Sequence, residues 1–239
     1  MPDLRTYDAV LFDLDGVITP TAEIHRAAWR TMFTEYLDAR DAEPYTEKDY
    51  YGYLDGRSRV EGVQSLLASR DIELPLGDDD TATASDESVT GLGLRKNEDF
   101  LRALDRGIDA YPGSVSLLDA LAAPEAPQIA IVSSSKNARQ VLTAAGLIDR
   151  FGLIVDGNVA AEEGLAGKPA PDTYAFAASS LGVDPSRAVV VEDATSGVAS
   201  GRAGDFGLVV GVDRGAGRAA LLDAGADTVV SDLAELVPR

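Results

Sequence analysis

Cysteine is absent from the 239-residue chain, which excludes disulfides, thiolate nucleophiles and cysteine-ligated metals. No apolar run approaches the ~20 residues that cross a bilayer, so no membrane partner is expected. The opening MPDLRTYDAV lacks the basic start and apolar core of a signal peptide, and a cytoplasmic protein is expected. Positive charge is scarce too: 21 Lys and Arg face 40 Asp and Glu, for a net charge of −19. Nucleic acid is a poor partner for such a surface. An anionic small molecule would also be repelled at long range, so any such substrate must be captured by local cations. Only Lys48, Lys96, Lys136 and Lys168 are lysines. Their placement is therefore informative.

What the chain does have is a short apolar run that stops abruptly at two aspartates and a glycine, VLFDLDGVITPT over residues 10–21. The run suits a strand buried on both faces. Asp13 and Asp15 are two residues apart, so in extended backbone they point the same way. Two carboxylates held that close raise each other's pKa unless a cation offsets them. The pair asks for a metal ion, although such pairs also serve as helix caps and turns.

Downstream, Glu23 to Leu37 has apolar residues at helical spacing, with Thr21 and His25 four apart on one face at its start, both able to look back toward the aspartate loop. No buried-strand run follows before about residue 109; short helices are expected there, and the acidic stretch 78–88 reads as a mobile loop. After Pro112-Gly113, read as punctuation, strand and helix patterns alternate. Strands are expected at 128–132, 153–155, 188–191, 208–210 and 228–230, and helices at 137–145 and 172–181. Alternation of this kind means parallel strands with right-handed crossovers. The expected fold is α/β, a doubly wound parallel-sheet, Rossmann-like core of residues 1–20 and 110–239 with an inserted α-helical cap of residues 21–109. Ligands of doubly wound sheets bind beyond the carboxyl ends of the strands, where Asp13, Ser133 and the Glu192-Asp193 pair would fall. The glycines of SGVASGRAG follow no strand in dinucleotide-binding form and read as helix packing and turns.

The aspartate pair, the strand ending in Ser133, the isolated Lys168 of GKPAPD and the strand ending in Glu192-Asp193 occur in the order and spacing of the haloacid dehalogenase superfamily of phosphotransferases. The resemblance covers nearly the whole chain. DLDGVITPTAEIHRAAW and SSSKN are similar to the β-phosphoglucomutase-like subfamily. The resemblance implies Asp13 as a nucleophile forming an aspartyl phosphate, and Asp15 as general acid and base. It further implies Mg²⁺ held by Asp13, Asp193, the Asp15 carbonyl, and Glu192 either directly or from behind. Ser133 and Lys168 would contact the transferring phosphate. Ser135, Lys136 and Asn137 resemble the segment that holds a second phosphate, and Gly56-Arg57-Ser58-Arg59 the cap stretch that lends Arg59 to it. His25, the only histidine, and Thr21 match a hinge pair, with structural and helix-capping roles as the plainer alternatives.

The resemblance implies a sugar-phosphate substrate and the conversion of β-glucose 1-phosphate to glucose 6-phosphate, with a Mg²⁺-dependent phosphatase of small phosphomonoesters as the alternative. A non-catalytic module or a dehalogenase fits the retained acidic set less well. Pro20, Asp55 and Gly62 depart from the subfamily pattern, all three in stretches that the pattern links to substrate recognition. The sequence leaves the oligomeric state open, a monomer included.

Overall fold

The computed structural model describes residues 2–78, 80–123 and 125–238. β1 (Ala9–Phe12) is buried at every position, as an apolar tetrad in the middle of a parallel sheet must be. The chain then enters four helices: α1 (Thr21–Asp38), the single turn α2 (Glu47–Asp49), α3 (Arg59–Ala68) and α4 (Val89–Leu104). It returns through α5 (Pro112–Ala120), β2 (Gln128–Val132), α6 (Ala138–Ala144), β3 (Leu153–Val155), α7 (Gly157–Glu162) and α8 (Asp172–Ser180). β4 (Ala188–Glu192), α9 (Thr195–Ala203), β5 (Leu208–Val212), α10 (Arg218–Asp223) and β6 (Thr228–Val230) complete it.

The six strands form one sheet in the order β3-β2-β1-β4-β5-β6. Every pairing is parallel, and Leu11 lies opposite Ala130 on one side and Val190 on the other. The doubly wound α/β fold is thus the one expected. β1 sits at the centre, where the strand order reverses, and such a switch point opens a crevice beyond the strand ends. Tyr174 of α8, Val198 of α9 and Leu221 of α10 share one apolar cluster with Leu11, Val132 and Val190, so these helices cover a face of the sheet.

The chain divides into two compact units, Met1–Thr21 with Ile108–Arg239, and Ala22–Gly107. The second unit is helical and has its own core around Trp29, Phe33, Leu37, Leu66 and Leu92. Ser58 caps α3 in a reciprocal capping box with Glu61, which satisfies two of the backbone donors a helix start exposes.

Several sequence expectations need correction. α4 is a single 16-residue helix where short ones were expected, because its buried positions form a stripe that Gly91 and Gly93 interrupt without breaking. Pro112 and Gly113, read as punctuation, open α5; proline suits the first helical turn, whose N–H would be unpaired anyway. The glycines of the stretch after Asp193, read as helix packing and turns, lie in α9 and at its C-cap Gly204. Gly62 lies against Leu54 and Trp29 in the core of the helical unit, so its departure from the subfamily pattern concerns packing. In the acidic loop, Asp78 accepts from the N–H groups of Asp80 and Thr81, and Asp86 from that of Thr83. Asp79 of that stretch lies outside the described residues.

Candidate active site at the carboxyl end of the sheet

Asp13 directly follows β1, and its N–H donates to Val191 O of β4 at 2.9 Å. Ser133 follows β2 and is held the same way by Val155 O of β3, also at 2.9 Å. The ladder therefore fixes both residues at the sheet's edge before their side chains do anything. Lys168, only 2% exposed, reaches into the same place. Its Nζ donates to Asp13 Oδ1 and Glu192 Oε1, both at 2.6 Å, and to Val132 O at 3.1 Å. Three acceptors match the three protons of an ammonium. The ion also lies 5.0 Å from the centre of the Tyr174 ring, whose hydroxyl donates to Glu192 Oε1 at 3.1 Å.

The electrostatics follow from this burial. Desolvation pushes the Asp13 carboxyl well above the ordinary carboxylate range; Lys168 opposes the rise, and the charges of Glu192 and Asp15 add to it. Burial works against the Lys168 ammonium, but Asp13 and Glu192 together outweigh it and hold its pKa above the usual lysine value. The Tyr174 hydroxyl is pushed up first by burial and then by Glu192, so it stays a donor.

Asp13, Glu192 and Asp193 offer carboxylate oxygens that all lie within 4.8 Å of one another. Such an all-oxygen, carboxylate-only donor set suits a hard divalent cation. A second observation agrees: Gly16 lies so close to Asp193 that a Cβ there would stand 1.9 Å from Asp193 Oδ2, and Gly16 adopts a φ of +87°, where glycine is favoured. The loop is shaped to seat that carboxylate. Glu192 is otherwise engaged. Its Oε1 accepts from Lys168 and Tyr174 and its Oε2 from the Ala194 N–H at 3.1 Å, while Gly197 leaves it room, since a Cβ would stand 1.7 Å from Oε1.

Asp15 is bound by hydroxyls. Thr21 Oγ1 donates to its Oδ1 in a short hydrogen bond, Ser133 Oγ approaches its Oδ2 at 3.4 Å, and Thr19 Oγ1 contacts Thr21 Oγ1 at 2.7 Å. The loop after β2 is built from its own hydroxyls. Ser133 Oγ accepts from the Ser135 N–H and Ser135 Oγ from the Asn137 N–H, each at 3.1 Å. It is clamped from the start of α7, with Gly157 N–H donating to Ser135 O at 3.1 Å and Asn158 Nδ2 to Lys136 O at 2.9 Å.

The structure thus brings together Asp13, Asp15, Thr21, Ser133, Lys168, Glu192 and Asp193, with Ser135, Lys136 and Asn137 on the adjoining loop. His25, Gly56 and Arg59 belong to the helical unit. There the His25 ring stacks on Phe100 at 4.1 Å between centroids, and its Nδ1 makes a short hydrogen bond with Lys96 Nζ. An ammonium only donates, so Nδ1 accepts and the ring proton sits on Nε2. Arg59 Nη2 donates to Asn97 Oδ1 at 2.7 Å, and Gly56 makes the left-handed turn (φ +70°) that precedes α3.

Sequence reasoning missed three of these partners. Lys96 is 2% exposed and lies 5.0 and 4.8 Å from the Trp29 and Phe100 ring centres. The scarcity of lysine was the one signal that pointed to it. Tyr174, six residues after Lys168, reads as an ordinary apolar position of α8. Asn97 carries no sequence signal.

A family model for haloacid dehalogenase-like hydrolases matches residues 7–205. The chain is 50% identical, over 96% of its length and 91% of the relative's, to a β-phosphoglucomutase of Mycobacterium bovis. It is 37% identical, over 95% and 91%, to a β-phosphoglucomutase of Bacillus subtilis. Among solved structures, that of β-phosphoglucomutase from Clostridium difficile superimposes with a TM-score of 0.76 at 28% identity, covering 96% of this chain and 93% of the other. The chain belongs to the haloacid dehalogenase-like hydrolase family, in its β-phosphoglucomutase-like group. It is an enzyme of phosphoryl transfer. Among the described residues, no helix is long and apolar enough to cross a membrane.

Proposed function

We propose that this enzyme moves a phosphoryl group between the C1 and C6 oxygens of a hexose phosphate, converting β-glucose 1-phosphate to glucose 6-phosphate through an enzyme-bound bisphosphate. The observation that carries the reading is half-identity to a β-phosphoglucomutase along nearly the whole chain. The Lys168 ammonium seated against Asp13 and Glu192 supports it.

In this reading an Asp13 carboxylate oxygen forms a bond to phosphorus as the bond to the leaving sugar oxygen breaks. Asp15 gives its proton to that oxygen, and later takes one from the hydroxyl that attacks phospho-Asp13. Lys168, held on Asp13, neutralises charge on the transferring group, and the Ser133 hydroxyl donates to it. Thr21 holds Asp15. Asp13 and Asp193 through their side chains and Asp15 through its carbonyl are the proposed Mg²⁺ ligands, with Glu192 as the partner that fixes Lys168. Bound there, Mg²⁺ would supply neutralisation of phosphate charge. Ser135, Lys136 and Asn137 are the proposed grip on the second phosphate, and Arg59, with Gly56, is proposed to bind that phosphate from the helical unit. The helical unit is assigned the role of a cap that excludes water, with His25, held by Lys96, as a hinge residue.

A coupled assay for glucose 6-phosphate, run with Mg²⁺, β-glucose 1-phosphate and a trace of the bisphosphate, tests the reading. Accumulation of glucose 6-phosphate is expected; release of phosphate alone would make the enzyme a phosphatase. Arg59→Ala adds a sharper prediction. A lost guanidinium–phosphate contact weakens binding by about 2–3 kcal/mol. KM for the sugar phosphate should rise accordingly while hydrolysis of para-nitrophenyl phosphate, which has no second phosphate, is spared. Equal losses on both would remove Arg59 from the substrate site.

A further inference from the structure

Arg214 follows β5 and matches none of the four motifs of the family. Its guanidinium is nevertheless engaged on every edge and one face. Nε donates to Gly16 O at 3.0 Å, Nη1 to Ser231 O at 3.1 Å, and Nη2 approaches Asp232 Oδ2 at 3.4 Å. The plane of the group lies over the Tyr111 ring, 3.9 Å from its centre. The four partners come from three stretches of the same unit: Gly16 from the loop after β1, Tyr111 from the turn into α5, and Ser231 and Asp232 from the loop after β6. An arginine so held has little rotamer freedom left, and its planar fork can fix a carbonyl in direction as well as distance.

The carbonyl it fixes is that of Gly16, the residue directly after Asp15. On its other side the Gly16 backbone is pressed against the Asp193 carboxylate, which would stand 1.9 Å from a Cβ. The neighbouring loop carbonyls are held from the same turn into α5: Ser114 Oγ donates to Val17 O at 2.7 Å and Tyr111 N–H to Ile18 O at 3.0 Å. Arg214 packs on that Tyr111. Of the three anchors, Arg214 acts nearest to Asp15, and it is the only charged one.

We infer that Arg214 is a positioning residue for the proton-transferring carboxyl: by clamping the Gly16 carbonyl it sets where Asp15 stands relative to the oxygen it must protonate. The inference rests on the reading of Asp15 as general acid and base. Asp232 in turn aims Arg214. One of its oxygens meets Nη2, and the other accepts from the Ala234 N–H at 2.9 Å beside Gly113, where a Cβ would stand 1.7 Å away. Asp13, Lys168, Glu192 and Ser133 are held by contacts that do not involve Gly16, so loss of the clamp is expected to retain the nucleophilic half of the reaction while the proton transfer suffers.

Leaving groups separate the two halves. A sugar oxygen departs only with a proton, whereas para-nitrophenolate departs without one, so a general acid accelerates the first and hardly the second. Arg214→Ala, Arg214→Gln and, as reference, Asp15→Asn are assayed with Mg²⁺ for turnover of β-glucose 1-phosphate and for the first-turnover burst of para-nitrophenolate, which reports formation of phospho-Asp13 before its base-assisted breakdown, with folding checked by thermal melting. Asp15→Asn should lose activity on the sugar phosphate selectively. The expected result for Arg214→Ala is a fall of about tenfold or more in kcat on the sugar phosphate, with the rate of the para-nitrophenolate burst changed by less than about twofold. Arg214→Gln, which keeps one donor for Gly16 O, should fall between Arg214→Ala and the parent, and carries the same comparison if Arg214→Ala does not fold. Equal losses on both substrates, or none on the sugar phosphate, while Asp15→Asn is selective would overturn the role of Arg214 alone. Equal losses in Asp15→Asn itself would overturn the general-acid reading and the inference with it.

Discussion

In Asp13→Asn, turnover of the sugar phosphate falls by roughly 10⁵-fold, while the melting temperature measured in chelator stays at or above that of the parent. The two effects have opposite signs for one physical reason. Burial pushes the Asp13 carboxyl well above the ordinary range, with Glu192 and Asp15 adding to the rise and Lys168 opposing it. A carboxyl whose folded pKa lies above its unfolded value costs stability at neutral pH, because the folded state resists ionising it. Asparagine keeps the shape, removes the group that the folded state resists ionising, and leaves Lys168 with Glu192. What it cannot do is form an acyl phosphate. Retained turnover would remove Asp13 from the chemistry; a large drop in melting temperature would mean that the Lys168 pair stabilises Asp13 more than burial opposes it.

Lys168→Ala should be costly in both respects. Its ammonium is the shared partner of Asp13 and Glu192, and removing one side of a buried pair while the other stays charged costs about 3–5 kcal/mol. Activity should fall by about 10²-fold or more as the transferring charge loses its neutralising donor. Adding Glu192→Gln to Lys168→Ala tests the cause. If the cost comes from uncompensated charge, the double variant is more stable than Lys168→Ala alone, a coupling that contacting residues are expected to show. A double variant less stable than either single change would point to lost packing around Tyr174 instead.

The sheet was legible because parallel strands buried on both faces leave nearly continuous apolar runs, and AVLF, QIAIV and AVVVE each stop at a polar residue at the sheet's carboxyl edge. Parallel topology then gathers those polar residues, so Asp13, Ser133 and Asp193 met as expected. Glu192 was left between two roles; its carboxylate accepts from Lys168, Tyr174 and the Ala194 N–H and also stands with Asp13 and Asp193 in the acidic cluster. The glycines after Asp193 were read as helix packing and turns, and Gly197 makes way for Glu192 inside α9. Lys96 and Arg214 were invisible as site residues for a related reason. Each is defined by what surrounds it after folding, two aromatic rings and a histidine for the one, two carbonyls, a carboxylate and a tyrosine for the other, and no local pattern encodes such company. The acidic composition proved uninformative about the site, where the buried Lys168 supplies the positive charge beside Asp13 and Glu192.

The central claim is that the phosphoryl group carried by Asp13 passes to a sugar hydroxyl in preference to water, and phosphorus NMR reads that partition directly. Purified protein is incubated with Mg²⁺, β-glucose 1-phosphate and a trace of glucose 1,6-bisphosphate, and the resonances are followed with time. The account predicts that the glucose 6-phosphate signal grows as that of β-glucose 1-phosphate declines, with no inorganic phosphate accumulating alongside. Inorganic phosphate as the sole new signal would contradict it, and would make water the acceptor.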